Sequence, residues 1–139
     1  MPLADESLSG ARLQKVLQAL EENWQAEMVG CYTYRALADR DSDPVRAQVL
    51  RHLAAAEEEH AALWAARIQE LGGPAPAYKG APHGDADSLP NRAGGVRMAL
   101  RRLEIAESRH IANYGKQLKD LGDEESIEIL NHVCEDARD

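Results

Sequence analysis

The stretch LRHLAAAEEEHAALWAARIQELGG, residues 50–73, carries the pattern that decides the fold of this chain. Its large apolar residues recur at the three- and four-residue spacing of an amphipathic helix: Leu50, Leu53, Trp64, Ile68 and Leu71. The gap in the middle of this face is filled, at the proper spacing, by Glu57 and His60, whereas the two glutamates between them point elsewhere as ordinary solvated charges. The stretch therefore predicts a helix with a carboxylate and an imidazole inside its apolar face.

A second helical pattern precedes this one. Apolar residues recur at helical spacing from about residue 13 to residue 40, and the stretch DRDSDP, residues 39–44, breaks the pattern. There Ser42 or Asp43 can cap a new helix, and Pro44 suits its first position. The double glycine and proline after residue 71 end that next helix.

A long connection divides the chain into two halves. Residues 74–90, PAPAYKGAPHGDADSLP, are rich in Pro, Gly and Asp and show no period. They are interpreted as a crossover between a hairpin at 11–73 and a hairpin at 91–139. In the second hairpin, a glycine separates a helix over about 92–121 from a shorter one that starts at Asp123.

An internal repeat supports this organisation. A shift of 80 positions superposes similar residues of the two hairpins, including Val16 on Val96, Leu20 on Leu100, Glu27 on Glu107, Tyr34 on Tyr114 and Asp43 on Asp123. Two helical hairpins joined by one long link predict an all-α fold, an antiparallel four-helix bundle in a single domain, 1–139. Its fourth helix is expected to be short or truncated, because the chain stops at Asp139 without a cap signal.

Composition narrows the class of protein. The chain has 139 residues, which is the length of one domain, and aromatic residues are 4% with no Phe, which favours helices over strands. The formal net charge of −8 argues against a nucleic-acid partner. No apolar run reaches the roughly 20 residues that span a bilayer, and the N-terminus lacks the features of a signal peptide. The chain as given is expected to be cytoplasmic, with Cys31 and Cys134 as reduced thiols.

Two further apolar faces also contain carboxylates. In the first helix, Glu27 fills the gap between Trp24 and Cys31. In the third, Glu107 fills a gap of the same kind, with Glu104 one turn earlier on the same side. Any one of these glutamates taken alone is more simply a solvated charge or a member of an ion pair. The set lies near the middle of three helices, so a common cause is favoured.

A metal site explains the set best. Burying several ionised carboxylates together is costly through desolvation and repulsion, and one histidine cannot neutralise four of them. Oxygen ligands with an imidazole suit iron or manganese, and the Glu-x-x-His spacing lets Glu57 and His60 hold one ion. Two metals bridged by carboxylates would account for the number of acids. His110 completes a second Glu-x-x-His at the edge of the third face, where a ligand and a surface residue are both open interpretations.

The sequence resembles the ferritin-like superfamily, specifically rubrerythrin-type diiron domains. The residues that carry the resemblance are EMVGCYTYRALA (27–38), the stretch 50–73 and LEIAESRHIANY (103–114). The resemblance implies a diiron site whose ligands are Glu27, Glu57, His60, Glu104 and Glu107. No CxxC pair is present for the rubredoxin-type iron centre that many rubrerythrins carry.

Part of the chain is similar to one branch of that family. The phrase YRALA (34–38) and the later LWAARIQELGG (63–73) look most like the rubrerythrin domain that precedes a membrane iron transporter of the vacuolar-iron-transporter type. This resemblance implies that the chain is tethered to a membrane in the full-length protein.

The fourth helix departs from the family pattern. A second Glu-x-x-His is expected there, but ILNHVCEDARD (129–139) has Ala137 at the glutamate position and stops before the histidine. Asp136 can substitute as a ligand, because it continues the stripe of Ile129 and Val133. Otherwise the site is incomplete, asymmetric or finished by another chain.

The leading functional expectation is a diiron carboxylate protein that binds Fe(II) and oxidises it with oxygen or peroxide, in the manner of a ferroxidase or peroxidase. One alternative is an iron-binding sensor or delivery domain for a membrane iron transporter, without turnover. Another is a metal-free structural bundle whose acids form ion pairs. A homodimer is expected, because a short fourth helix leaves apolar surface exposed. The ligand types do not distinguish iron from manganese.

Overall fold

Four helices make up most of the described part of the chain. The computed structural model describes residues 10–88 and 93–138, without the side chains at 93–99, 107, 111, 137 and 138. The helices are α1 (Gly10–Arg40), α2 (Pro44–Glu70), α3 (Ala93–Leu121) and α4 (Glu124–Arg138), with one 3₁₀ turn at Ala86–Ser88. The described part of the chain contains no strand. The all-α prediction is confirmed, and so is the short fourth helix, which has 15 residues where α1 has 31.

The helix boundaries follow the sequence signals. The Asp43 side chain accepts hydrogen bonds from the backbone N–H groups of Val45 and Arg46, so Asp43 and not Ser42 is the N-cap of α2. Gly72 follows Leu71, the C-cap of α2, and Gly122 follows the last residue of α3; their φ angles are 81° and 78°. These backbone conformations favour glycine, which explains why both helices stop where they do.

The core lies between all four helices. α1 packs along α2 over its length, α3 contacts α1 and α4, and α4 also contacts α2. One buried cluster joins the four helices through Val16, Ala19, Leu20, Trp64, Ile68, Tyr114, Leu118, Leu130 and Val133. A second cluster lies between α1 and α2, around Cys31, Tyr34, Leu37 and Leu50. Leu53, which the sequence pattern placed in the core, is 36% exposed.

A buried arginine ties α4 to the end of α2. The guanidinium of Arg67 donates hydrogen bonds to Asp123 at 2.8 Å, to Glu125 at 2.7 Å and to the hydroxyl of Ser126 at 3.3 Å. Arg67 and Asp123 are both buried, so this pair is shielded from solvent. The start of α4 is therefore held by a charged network as well as by apolar packing.

The long connection lies along α1. The side chain of Gln25 donates to the carbonyl of Ala77 at 2.7 Å and accepts from the N–H of Lys79 at 3.1 Å. Further along, the Thr33 hydroxyl accepts from the N–H of Asp85 at 2.9 Å. Gly84 comes so close to Thr33 that a Cβ there would overlap its hydroxyl. These bonds hold residues 77–85 against α1. Residues 74–85 contain no helix and 86–88 form the 3₁₀ turn, whereas residues 89–90 of the predicted connection lie outside the described residues.

None of the helices, as far as the described residues go, combines the length and the apolarity needed to cross a lipid bilayer.

Candidate metal centre

Glu27, Glu57 and His60 converge in the interior. One ligand atom from each lies within 4.8 Å of the other two, and all three residues are buried. Glu57 and His60 are three residues apart, so they project from one face of α2, and Glu27 faces them from α1. These three residues were predicted as metal ligands from the sequence, and the fold brings them together into a group that could hold one ion.

The polar atoms of this group are only partly satisfied. Glu27 Oε2 lies 3.4 Å from His60 Nδ1, which is long for a hydrogen bond, and neither atom has a hydrogen-bond partner among the described residues. Buried polar atoms are normally paired, because an unpaired one costs the desolvation free energy of that group. A cation between the carboxylate and the imidazole would satisfy both atoms.

His60 is held between two carboxylates. Burial alone would lower the pKa of His60, but the neighbouring carboxylate of Glu27, and then that of Asp136, outweigh burial and raise this pKa to about 9. The imidazole of the metal-free protein is therefore protonated at neutral pH. A metal ion at the Nδ1 side has to replace that proton.

Asp136 meets His60 on its other nitrogen. Its Oδ2 lies 2.6 Å from His60 Nε2, whereas Nδ1 faces Glu27. Asp136 was predicted from the sequence as a substitute ligand, but the fold places it on the far side of the imidazole, where α4 packs against α2. A carboxylate that accepts from the far nitrogen of a metal-bound histidine fixes its tautomer and orientation. This geometry suits Asp136 to orienting the His60 ring.

Substitution of Asp136 by asparagine tests this role. The amide keeps the size of the side chain but loses its charge, so we expect metal affinity to fall about 10- to 100-fold without being abolished. Glu135→Gln on the exposed side of α4 is the matched control and should leave affinity unchanged. Complete loss of binding in Asp136→Asn would indicate direct ligation instead.

Gly30 is a site residue that sequence reasoning missed. A Cβ at this position of α1 would lie 2.9 Å from Glu57 Oε2, so the absence of a side chain leaves room for the carboxylate. The available signal was the position of Gly30, three residues after Glu27 in the same helix. An isolated glycine inside a helix indicates that another group comes close to the helix backbone at that position.

A cavity of about 230 Å³ opens beside the three residues. It lies between α1, α3 and the connection, and Glu27 and Glu57 form part of its wall. Its other polar lining residues are Tyr34, Asp85 and His110, and the rest of the wall is alanine, valine, leucine and glycine. A molecule that enters this cavity therefore reaches the two carboxylates.

His110 lies on the cavity wall and not on the outer surface. Its Nε2 is buried and has no hydrogen-bond partner among the described residues, and its ring packs edge-on against Tyr114 with the centroids 4.3 Å apart. Burial lowers the pKa of His110, more than the charges of Glu27 and Glu22 raise it. His110 is therefore neutral at physiological pH and able to donate or accept at Nε2 according to its tautomer.

The remaining predicted ligands divide into two cases. Glu104 is exposed and lines a separate surface groove with Arg101 and Arg109, so the fold does not bring it to the site. The reason is helical geometry, since Glu104 lies about 160° around α3 from Ala106, which faces the cavity. The side chain of Glu107 lies outside the described residues, as do those of Ala137 and Asp139.

The charge of His60 makes the stability of the metal-free protein depend on pH. Its pKa in the folded state, about 9, lies above the unfolded value of 6.5, so the stabilisation is complete below pH 6.5 and is lost as pH rises towards 9. We expect the free energy of unfolding to fall on the order of 2 kcal/mol across that interval. Denaturant titration at pH 6 and pH 9 measures this, and His60→Gln should flatten the difference. A profile unchanged by that substitution would contradict the assignment.

Comparisons of the chain with protein families, with curated proteins and with solved structures found no match.

Proposed function

We propose that this protein binds Fe(II) through Glu27, Glu57 and His60 and oxidises it with oxygen or peroxide. The observation that carries the proposal is the convergence of two buried carboxylates and a buried imidazole, in which Glu27 Oε2 and His60 Nδ1 lack a hydrogen-bond partner among the described residues. The metal-free group combines two acids with one imidazolium and retains unpaired polar atoms, which a divalent cation would satisfy.

The donor set favours iron or manganese. Carboxylate oxygens with one imidazole nitrogen suit both ions, whereas a structural zinc site would draw on thiolates. Iron is proposed because its oxidation uses what surrounds the site: anionic oxygen ligands stabilise the higher charge of Fe(III), and the cavity gives an oxidant access. Fe(II) is here a substrate, and its electron supplies the redox chemistry.

The chain's own residues have separate roles in this proposal. Glu27 and Glu57 bind the ion and balance its charge, and His60 contributes Nδ1 after losing its proton. Asp136 accepts from Nε2 and keeps the ring oriented. The burial of Glu27, Glu57 and His60 limits water around the site, which strengthens the electrostatic attraction between carboxylates and ion.

The fold proposed for this function is an antiparallel four-helix bundle of the ferritin-like type. The three-residue break at 41–43 supports antiparallel directions for α1 and α2, since parallel neighbouring helices need a long crossover. The contacts of α4 support a direction antiparallel to α2. Arg67, near the end of α2, pairs with Asp123, whereas His60, earlier in α2, pairs with Asp136. Two irons per site, a homodimer and a membrane transporter domain in the full-length protein belong to the same proposal.

A second candidate is an iron-sensing or delivery module without turnover. The observation that favours it is the number of donors, since three side chains converge and Glu104 lies elsewhere. Three donors can hold one ion, whereas a carboxylate-bridged pair requires more ligands. The second iron of the leading proposal therefore depends on Glu107.

An anaerobic Fe(II) titration followed by admission of oxygen tests both candidates. Two irons per chain that oxidise within seconds would support the ferroxidase-like function. One iron that oxidises no faster than Fe(II) in buffer would favour the delivery module. Absence of binding by the folded chain would reject both, and the three residues would then be a structural ion-pair group.

A further inference from the structure

The cavity beside the three residues has a wall of mixed chemistry. His110 and Leu103 both line it and are seven residues apart on α3, which is about 10 Å along the helix axis. Glu27, His110 and other polar residues contribute polar atoms to the wall, and Val29, Leu103 and Ala106 make other parts of it apolar. A ligand that satisfies the whole cavity therefore needs a polar group and a hydrocarbon part.

The polar groups favour a neutral ligand that can form hydrogen bonds. His110 Nε2 is buried and lacks a partner among the described residues, so a hydrogen-bonding atom in the cavity would satisfy it. Glu27, Glu57 and Asp85 face the same space and disfavour anions such as carboxylates or phosphates. Dioxygen is neutral too, but it cannot donate a hydrogen bond.

The volume exceeds what the smallest oxidants occupy. A cavity of about 230 Å³ is several times the roughly 30 Å³ share of a water molecule in the liquid, and a cavity of about 150 Å³ already holds benzene. Hydrogen peroxide, with two heavy atoms, would leave the apolar wall without contacts. A branched or aromatic hydrocarbon group of about the size of benzene would occupy most of the remaining space.

We propose that the cavity binds small organic hydroperoxides, with the –OOH group at His110 and the hydrocarbon group against Val29, Leu103 and Ala106. The inference rests on the proposed iron function and names the oxidant class of that site. In the net reaction the O–O bond of ROOH breaks. Two Fe(II) each give one electron and become Fe(III), and two protons from solvent complete ROH and H₂O. His110 binds and orients the hydroperoxide.

Stopped-flow oxidation of the Fe(II)-loaded full chain tests the selectivity. The measured quantity is the ratio of the rate constants with tert-butyl hydroperoxide and with hydrogen peroxide, compared with the same ratio for Fe(II) in buffer. We expect the protein to raise this ratio about tenfold, and Ala106→Leu, which fills the cavity, to remove that preference. His110→Phe keeps the contact with Tyr114 but loses Nε2, and should slow the reaction with tert-butyl hydroperoxide about tenfold. His132→Phe, at an exposed position of α4, is the matched control.

A measurement on the metal-free protein tests binding independently of iron. Nitrogen chemical shifts of ¹⁵N-labelled histidines are followed during titration with tert-butyl alcohol, an unreactive analogue. We expect a saturable shift at His110, absent in Ala106→Leu, and none at His132. If the chain binds and oxidises iron with the same ratio of rate constants as free Fe(II), and the nitrogen chemical shift of His110 does not change, this proposal alone is overturned. If the chain binds no iron, the proposed function and this inference are overturned together.

Discussion

Glutamine in place of Glu57 is expected to weaken Fe(II) binding by more than about a hundredfold, since even the loss of a partner behind a ligand costs 10- to 100-fold. Glutamine has nearly the shape of glutamate, so the packing against Gly30 is preserved. It lacks the charge that attracts the ion, and its amide oxygen is a weaker donor than a carboxylate. Isothermal titration calorimetry under anaerobic conditions measures the change in affinity.

The neighbouring glutamate provides a matched control. Glu58 lies next to Glu57 on α2, but its side chain is exposed and pairs with Arg35 at 3.0 Å on the surface. Glu58→Gln removes the same charge from the same helix, so we expect iron affinity to change less than twofold. Equal affinities of the two variants would mean that the ion, if bound at all, is not held by the buried group. Circular dichroism of both variants checks that the helices are intact.

Removal of the Arg67 guanidinium is expected to cost about 3–5 kcal/mol of unfolding free energy. Arg67→Ala leaves the buried carboxylate of Asp123 without its counter-ion and removes the donors to Glu125 and Ser126. Since these residues form the start of α4, we expect this helix to lose protection from hydrogen exchange first. Chemical denaturation measures the loss of stability.

The matched control is Arg35→Ala, which removes an arginine from an exposed ion pair. Its cost should be below about 1 kcal/mol, because solvent screens the pair in the folded protein. If Arg67→Ala were no more destabilising than this control, the buried network would not hold α4 in place. Arg67→Ala should also weaken iron binding, because α4 carries Asp136 to His60. An unchanged affinity would show that the two ends of α4 act independently.

Local chemistry made the helices and their ends predictable. Asp43 with Pro44, and the glycines at 72 and 122, act through neighbouring backbone atoms, so their effects can be read without knowing the fold. The three ligand candidates of the converged group were predictable for a related reason. A carboxylate in phase with an apolar stripe must enter the core with its helix.

Other features depended on distances between helices. Glu104 shares α3 with the cavity-lining His110, and a difference of rotation around the helix axis decides that the first is exposed and the second partly buried on the cavity wall. Asp136 was predicted as a substitute ligand. Its position beside Nε2 of His60 follows from how α4 packs against α2, which helical spacing within one segment does not specify.

The sequence by itself determined the helices, their caps and the presence of acids and a histidine in the apolar faces, because periodicity and capping are local properties. The tertiary structure alone decided that Asp136 faces Nε2 of His60, that Gly30 makes room for Glu57, and that a cavity with His110 on its wall opens beside them. These features arise where side chains from separate helices meet. Their geometry is set by how the whole core packs.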